Sequence, residues 1–297
     1  MSIKKVLFIL PLFAYIPVRA QMMGLENNGN KTKTSIGIEY ECSSGAISDY
    51  AKVHISHELF RSRQMKLTAN ANYFDILQCN FVDKDMPVGI SAEQLGMNKS
   101  HQYGQFGLSG LYHHQLFGKP LMVLGMVNAD WGIDRLQRVS GLAMGIIMLK
   151  TTKETQFGIG PLVLINSTTK IPAFPVFFYR HRYSDKLSID LYGAMFGLNY
   201  KPTVSDHFTI GGDINTKAFY FKPKTEGLPK YCRYHNTSFR PSIKYRRKIA
   251  DRLYGEMQGG IVIKMSNRVN GVTGTKEYFT IGQKVQPFAH VGMNYSF

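Results

Sequence analysis

The last thirteen residues, "VQPFAHVGMNYSF" (Val285 to Phe297), alternate with a period of two. Val285, Pro287, Ala289, Val291, Met293, Tyr295 and Phe297 make one series, and Gln286, Phe288, His290, Gly292, Asn294 and Ser296 the other. Successive side chains of an extended chain point to opposite faces, so this segment reads as a strand with one apolar and one mostly polar face. A free carboxylate beside a terminal ring resists leaving water. The pair suits a boundary where the ring meets lipid and the charge meets solvent.

The residues Ala289, Val291, Met293, Tyr295 and Phe297 resemble the closing strand of bacterial outer-membrane β-barrels. That resemblance implies that they form the signal read by the barrel-assembly machinery. Over the whole mature chain the pattern resembles the large class of uncharacterised outer-membrane barrel proteins. It implies a bacterial outer-membrane location, contact with outer-membrane lipids, and passive permeation or a structural or surface-binding role.

Alternation of the same kind runs through the chain. "TSIGIEYEC" (34–42) separates Thr34, Ile36, Ile38 and Tyr40 from Ser35, Gly37, Glu39 and Glu41, and "LYGEMQGGIVIKM" (253–265) opposes Leu253, Met257, Ile261, Ile263 and Met265 to Tyr254, Glu256, Gln258 and Lys264. Further segments are 51–60, 64–77, 102–116, 119–130, 138–151, 154–166, 173–183, 206–221 and 236–248. Helical spacing wins nowhere over a comparable length, so the fold is predicted all-β. Many segments span 10 to 16 residues, longer than the usual five or six of globular strands and suited to tilted strands crossing a bilayer.

Met1 to Ala20 carries Lys4 and Lys5, an apolar run from Val6 to Ile16, and "VRA" before Gln21, the pattern of a signal peptide cut near Ala20. The run is too short to span a bilayer as a helix. Residues 21–297 are then one barrel domain, since no Pro- or Ser-rich linker divides them. The formal charge is +16, or +13 once Lys4, Lys5 and Arg19 are removed. No nucleic-acid motif accompanies this charge, so lipid phosphate and anionic sugar are the expected polyanions. Cys42, Cys79 and Cys232 are odd in number, so at most one disulfide can form.

Connection lengths set the topology, because outer-membrane barrels alternate short periplasmic turns with longer external loops. Residues 43–49, 79–101, 131–137, 167–172, 222–235 and 266–283 read as external; 61–63, 117–119, 152–154, 184–186, 201–206 and 249–251 read as periplasmic. The two ends meet in phase only if "LSIDLYGAMFGLNY" (187–200) goes out and back. The expected architecture is a closed antiparallel transmembrane β-barrel of about twelve full-length strands plus a short hairpin turning near Gly193, fourteen strands if its arms are counted. The three cysteines then fall near the external end, where a surface disulfide is an open option.

On 206–221 the register turns Phe208, Ile210, Ile214 and Tyr220 to lipid and Asp213, Asn215 and Lys217 inward. By the same alternation Arg240, Lys244 and Arg246, then Glu256, Gln258 and Lys264, then Gln286, His290 and Asn294 share the interior. The candidate pore-lining set is thus Asp213, Lys217, Arg240, Lys244, Arg246, Glu256, Lys264 and His290. A turn at 249–251 places Lys244 directly across from Glu256, a pair worth about 0.2 to 1 kcal/mol. Such residues either brace the wall or select small anionic solutes. Tyr295 and Phe297 at one boundary, with Tyr220 and Phe221 at the other, are expected aromatic girdles.

His54 and Ser56 share a strand face, and His235 lies near Thr237. The first spacing is similar to that of the outer-membrane phospholipase, a twelve-stranded barrel, in which the imidazole takes the hydroxyl proton. No Gly neighbour follows Ser56, and Glu58 shares its face, so a lipid hydrolase is the minor alternative to a non-enzymatic barrel. Gly-rich phosphate loops, dinucleotide fingerprints and metal-spaced Cys or His are not found, so no cofactor or metal is expected.

Overall fold

The computed structural model describes residues 34–297 except 45–46, 82–85, 87–90, 94, 133–134, 166–172, 194, 273–275 and 282–284. The expected signal peptide at 1–20 lies outside the described residues. In chain order the strands are β1 (Thr34–Ser43), β2 (Ile47–Arg61), β3 (Met65–Cys79), β4 (His101–Leu116), β5 (Lys119–Gly132), β6 (Arg135–Thr151), β7 (Thr155–Ile165) and β8 (Ala173–Arg182). They continue with β9 (Leu187–Tyr192), β10 (Met195–Tyr200), β11 (Asp206–Phe221), β12 (Cys232–Ala250), β13 (Leu253–Gly271), β14 (Glu277–Thr280) and β15 (Gln286–Ser296).

Each strand from β1 to β13 pairs antiparallel with the next, and β15 bridges β13 and β1, closing the sheet into a barrel. β14 and β15 pair with successive parts of the same edge of β13: β14 with Arg268–Asn270 and β15 with Leu253–Val262. They are one interrupted strand, so the wall has fourteen positions. Closure gives every wall strand a neighbour on each side over its paired residues, which hydrocarbon demands because an unpaired N–H or C=O there costs several kcal/mol. Gly193, with a left-handed φ of 58°, turns the short hairpin β9–β10 as expected.

The outward series is apolar on strand after strand: Ile38, Ile55, Phe106, Val127, Ile159, Ile210, Ile243, Met257 and Met293 are all exposed. A contiguous apolar belt around a closed sheet is far beyond the patches that soluble monomers expose. The inner face has two sectors. On β4–β8, Leu111, Leu124, Leu142, Met144, Ile146, Leu162, Phe174 and Phe178 pack into one buried apolar cluster. On β1–β3 and β11–β15 the inner face is polar and charged toward the short turns, while Ile76, Cys79, Phe219, Phe221, Tyr234 and Val269 form a second buried apolar cluster farther up.

The short hairpin has a structural consequence that the alternation did not show. β10 pairs with β11 only from Phe208 to Gly212, so β11 runs on from Asp213 to Phe221 with β12 as its described partner. A strand with one bare edge cannot face lipid. The upper parts of β11, β12 and β13 instead turn into the lumen as a tongue. Phe219 and Tyr220 are adjacent and point to opposite faces, yet they are 0% and 3% exposed. Both faces of the tongue are therefore covered.

Several expectations are corrected by this turn. Tyr220 and Phe221 are not girdle residues and Ile214 does not face lipid; all three are buried, because the part of β11 that carries them has left the wall. The strands also reach further than expected: β12 already starts at Cys232 and β13 continues to Gly271, within the segments read as external loops. Arg246, not Lys244, stands opposite Glu256, because the hairpin turns at 251–252, which shifts the register by two residues and keeps the face.

Candidate functional site

The eight residues expected to line the lumen fall into two groups of contacts. Nearer the long-loop end, Lys217 Nζ lies 2.7 Å from Glu41 Oε1, Arg240 Nη1 donates to Glu41 Oε2 at 2.7 Å, and Arg240 Nε donates to Asp213 Oδ1 at 2.9 Å. Lys217, Glu41, Arg240 and Asp213 thus alternate in sign along one chain of contacts. The Arg240 guanidinium also lies 5.0 Å from the centre of the Phe288 ring. Glu41 is the hub, only 3% exposed. It lies 199 positions from Arg240, so spacing within the sequence does not couple the two. It sat on the inward series of β1, but its role depends on which part of the opposite wall comes to meet it.

Lys264 joins Glu41, Lys217, Tyr234, Arg240 and Gln286 around a cavity of about 20 Å³. That is room for about one water molecule.

The second group lies toward the short-turn end. Glu256 accepts from Lys244 Nζ at 2.6 Å and from Arg246 Nη2 at 3.0 Å. Beside it, Glu39 is 3.1 Å from Lys52 Nζ, 3.4 Å from His54 Nδ1 and 3.8 Å from His290 Nε2. Exposure rises in this direction, from 3% for the Glu41 side chain to 19% for Glu256 and 41% for Arg246.

Above the hub the tongue seals the interior. Phe219 stacks on the His101 ring at 4.0 Å and on Tyr234 at 4.9 Å, and Phe81 meets Tyr234 edge-on at 5.0 Å. On the other face the Tyr220 hydroxyl donates to Asp130 Oδ2 at 2.5 Å, and its ring meets Tyr103 edge-on at 6.0 Å. Ring contacts of this geometry add about 0.5 to 1.5 kcal/mol each to the burial itself. Asp130 and Phe219 were not expected at any site, and Tyr220 was expected at the lipid boundary instead. The only signal in the sequence was that β11 is aromatic on both faces where an alternating strand would be apolar on one.

The hydrolase constellation does not assemble. The imidazole of His54 contacts Asn294 Nδ2 at 3.0 Å and Glu39, and lies over Gly37, where any Cβ would collide with the ring. Ser56 is the next inward residue along the strand, about 6.5 Å on. Thr237 is within 3.5 Å of His235 Nε2 but is fully buried in the tongue. Cys79 and Cys232 are buried and Cys42 is exposed, and all three are free thiols.

No protein-family model matches the chain, and no curated protein does. Among solved structures it is similar to an outer-membrane channel from Pseudomonas putida F1, at 10% identity and a TM-score of 0.43, with 90% of this chain and 96% of that one covered. It is also similar to the KdgM porin in complex with disordered oligogalacturonate, at 8% identity and a TM-score of 0.37, covering 89% and 99%. Outer membrane phospholipase A from Escherichia coli matches at 10% identity and a TM-score of 0.34, covering 88% and 95%. At these identities the likeness concerns the fold alone.

Proposed function

We propose that the protein is an integral outer-membrane β-barrel, inserted after its signal peptide is removed, whose lumen is closed by its own tongue. The observation that carries this reading is the burial of Phe219 and Tyr220 on opposite faces of one strand inside the wall. A barrel filled in this way serves as a structural or surface-binding element rather than as an open pore. The charged groups near the hub brace the closure, since Lys217 and Arg240 each stand beside a carboxylate. Ala289, Val291, Met293, Tyr295 and Phe297 lie on the outward face of the last strand, where assembly machinery can read them.

A second reading, permeation of small anionic solutes, is favoured by one specific observation. The tongue is tied to the β1 side by ion pairs at Glu41 rather than by apolar contact alone. Ion pairs can exchange for water and solute ions, so displacement of the tongue would expose a lumen rich in Lys and Arg. Conductance in planar bilayers decides between the readings. The full protein is expected to give no steady current steps, whereas a variant in which 216–237 is replaced by a short turn conducts with anion preference. Large steady steps from the unaltered protein would overturn the closed-barrel reading.

A further inference from the structure

The wall is not of even height. β9 and β10 have 6 residues each, and β11 is joined to β10 only from Phe208 to Gly212 before it turns inward. At about 3.3 Å per residue and a tilt of about 40°, six residues rise about 15 Å, whereas the apolar band of an outer-membrane barrel is about 25 Å tall. This sector therefore ends about 10 Å short of the band. β4, β5 and β6, with 16, 14 and 17 residues, are long enough to cross it completely.

Above the short hairpin one edge of β8 has no partner strand among the described residues. β9 pairs with Phe178–Arg182, and the Gly193 N–H donates to the Phe177 carbonyl at 2.9 Å; the ladder ends there, below Ala173–Val176. The polar backbone groups of Phe177 thus point to the hairpin side, and alternation turns those of Pro175 the same way. Pro175 has no N–H to offer a further strand. Prolines within sheets occupy edges whose N–H side faces water, and there they discourage pairing with another chain. This edge is therefore suited to water rather than to a docked strand. Phe177 and Phe196, 46% and 45% exposed, ring the step on its outward side, and Phe196 lies 6.2 Å from Phe239, whose ring covers Gly212. Aromatic rings gather where the apolar core of a bilayer meets its headgroups. Behind the edge, Phe174, Val176 and Phe178 are packed in the buried apolar cluster, so the notch is a step in the wall and not a passage inward.

From this geometry we infer that the outer face of β8–β10 is a membrane-thinning surface, at which lipid headgroups and water of the long-loop leaflet descend about 10 Å and hydrate the β8 edge at Pro175. The partner is the headgroup layer itself. A bilayer meets a wall shorter than its hydrocarbon by thinning, and only a wet edge is tolerated at this depth. The inference rests on the integral barrel proposed above, but not on whether its lumen is closed.

The test places nitroxide labels on the full protein in phosphatidylcholine vesicles, in a Cys42→Ser background, since Cys79 and Cys232 are buried. Phe196→Cys carries the label at the notch and Leu108→Cys on the tall wall, each four residues along its strand from an outward tyrosine near the short turns, Tyr200 and Tyr112. The expected result is collision with a water-soluble nickel chelate severalfold greater at 196 than at 108, with dissolved oxygen dominating at 108. Oxygen dominating at both sites overturns the inference. A label at 196 that neither reagent reaches overturns it too, because protein then covers the notch. Should Phe196→Cys fail to fold, Phe177→Cys takes its place with the same expectation. Free access of the nickel chelate at both sites would refute insertion of the barrel itself, so failure of that reading and failure of this one are told apart by the label at 108.

Discussion

Replacing Glu41 by Gln keeps the shape of the hub and removes its charge. Lys217 and Arg240, each 2.7 Å from a Glu41 oxygen, would then face each other with Asp213 as the near carboxylate. Removing one partner of a buried ion pair costs about 3 to 5 kcal/mol, because the remaining charge stays buried without compensation. The cost falls on the docked tongue, since undocking lets water reach both cations. At about 1.4 kcal/mol per tenfold, the undocked population should rise between about one hundredfold and a few thousandfold. Hydrogen exchange read by mass spectrometry measures this directly. Peptides containing Phe219–Phe221 and Cys232–Tyr234 should exchange faster by that factor, while a wall peptide over Leu121–Met126 stays as it was. Lys217→Met should have the smaller effect, because Glu41 keeps Arg240. The reasoning fails if the tongue peptides of Glu41→Gln exchange as in the unaltered protein, or if tongue and wall accelerate together.

Three other substitutions probe separate parts of the molecule. Ile243→Arg places a charge on the outward belt at a position 59% exposed and should cost about 2 to 4 kcal/mol when unfolding is followed from lipid vesicles; a cost near zero would mean that this face does not meet hydrocarbon. Gly160→Ala should destabilise the wall by about 1 to 3 kcal/mol, because a Cβ there would strike the Gly145 carbonyl oxygen and come within 3.0 Å of the Ile146 Cα; an unchanged unfolding midpoint would count against the tight β6–β7 approach. Phe297→Ala should lower the amount of folded barrel in cell outer membranes while refolding into detergent proceeds as before, and equal membrane yields would remove the assembly role of the last strand.

The sequence alone determined the wall. Alternation fixes which side chains share a face of a strand, and closure of a sheet in hydrocarbon leaves one face for lipid and one for the interior, so Ile210, Ile243 and Met257 outside and Asp213, Arg240 and Glu256 inside were all legible. Connection lengths also carried the short hairpin at Gly193, since only that arrangement keeps turns and loops in phase. Only the tertiary structure decided what fills the interior. Alternation is a local property: it says that Phe219 and Tyr220 point apart, not what either one meets once β11 loses its neighbour and bends inward. The pairing of Glu41 with Lys217 and Arg240 likewise joins strands distant in the chain through the diameter of a closed sheet, a distance that no periodicity along the sequence encodes.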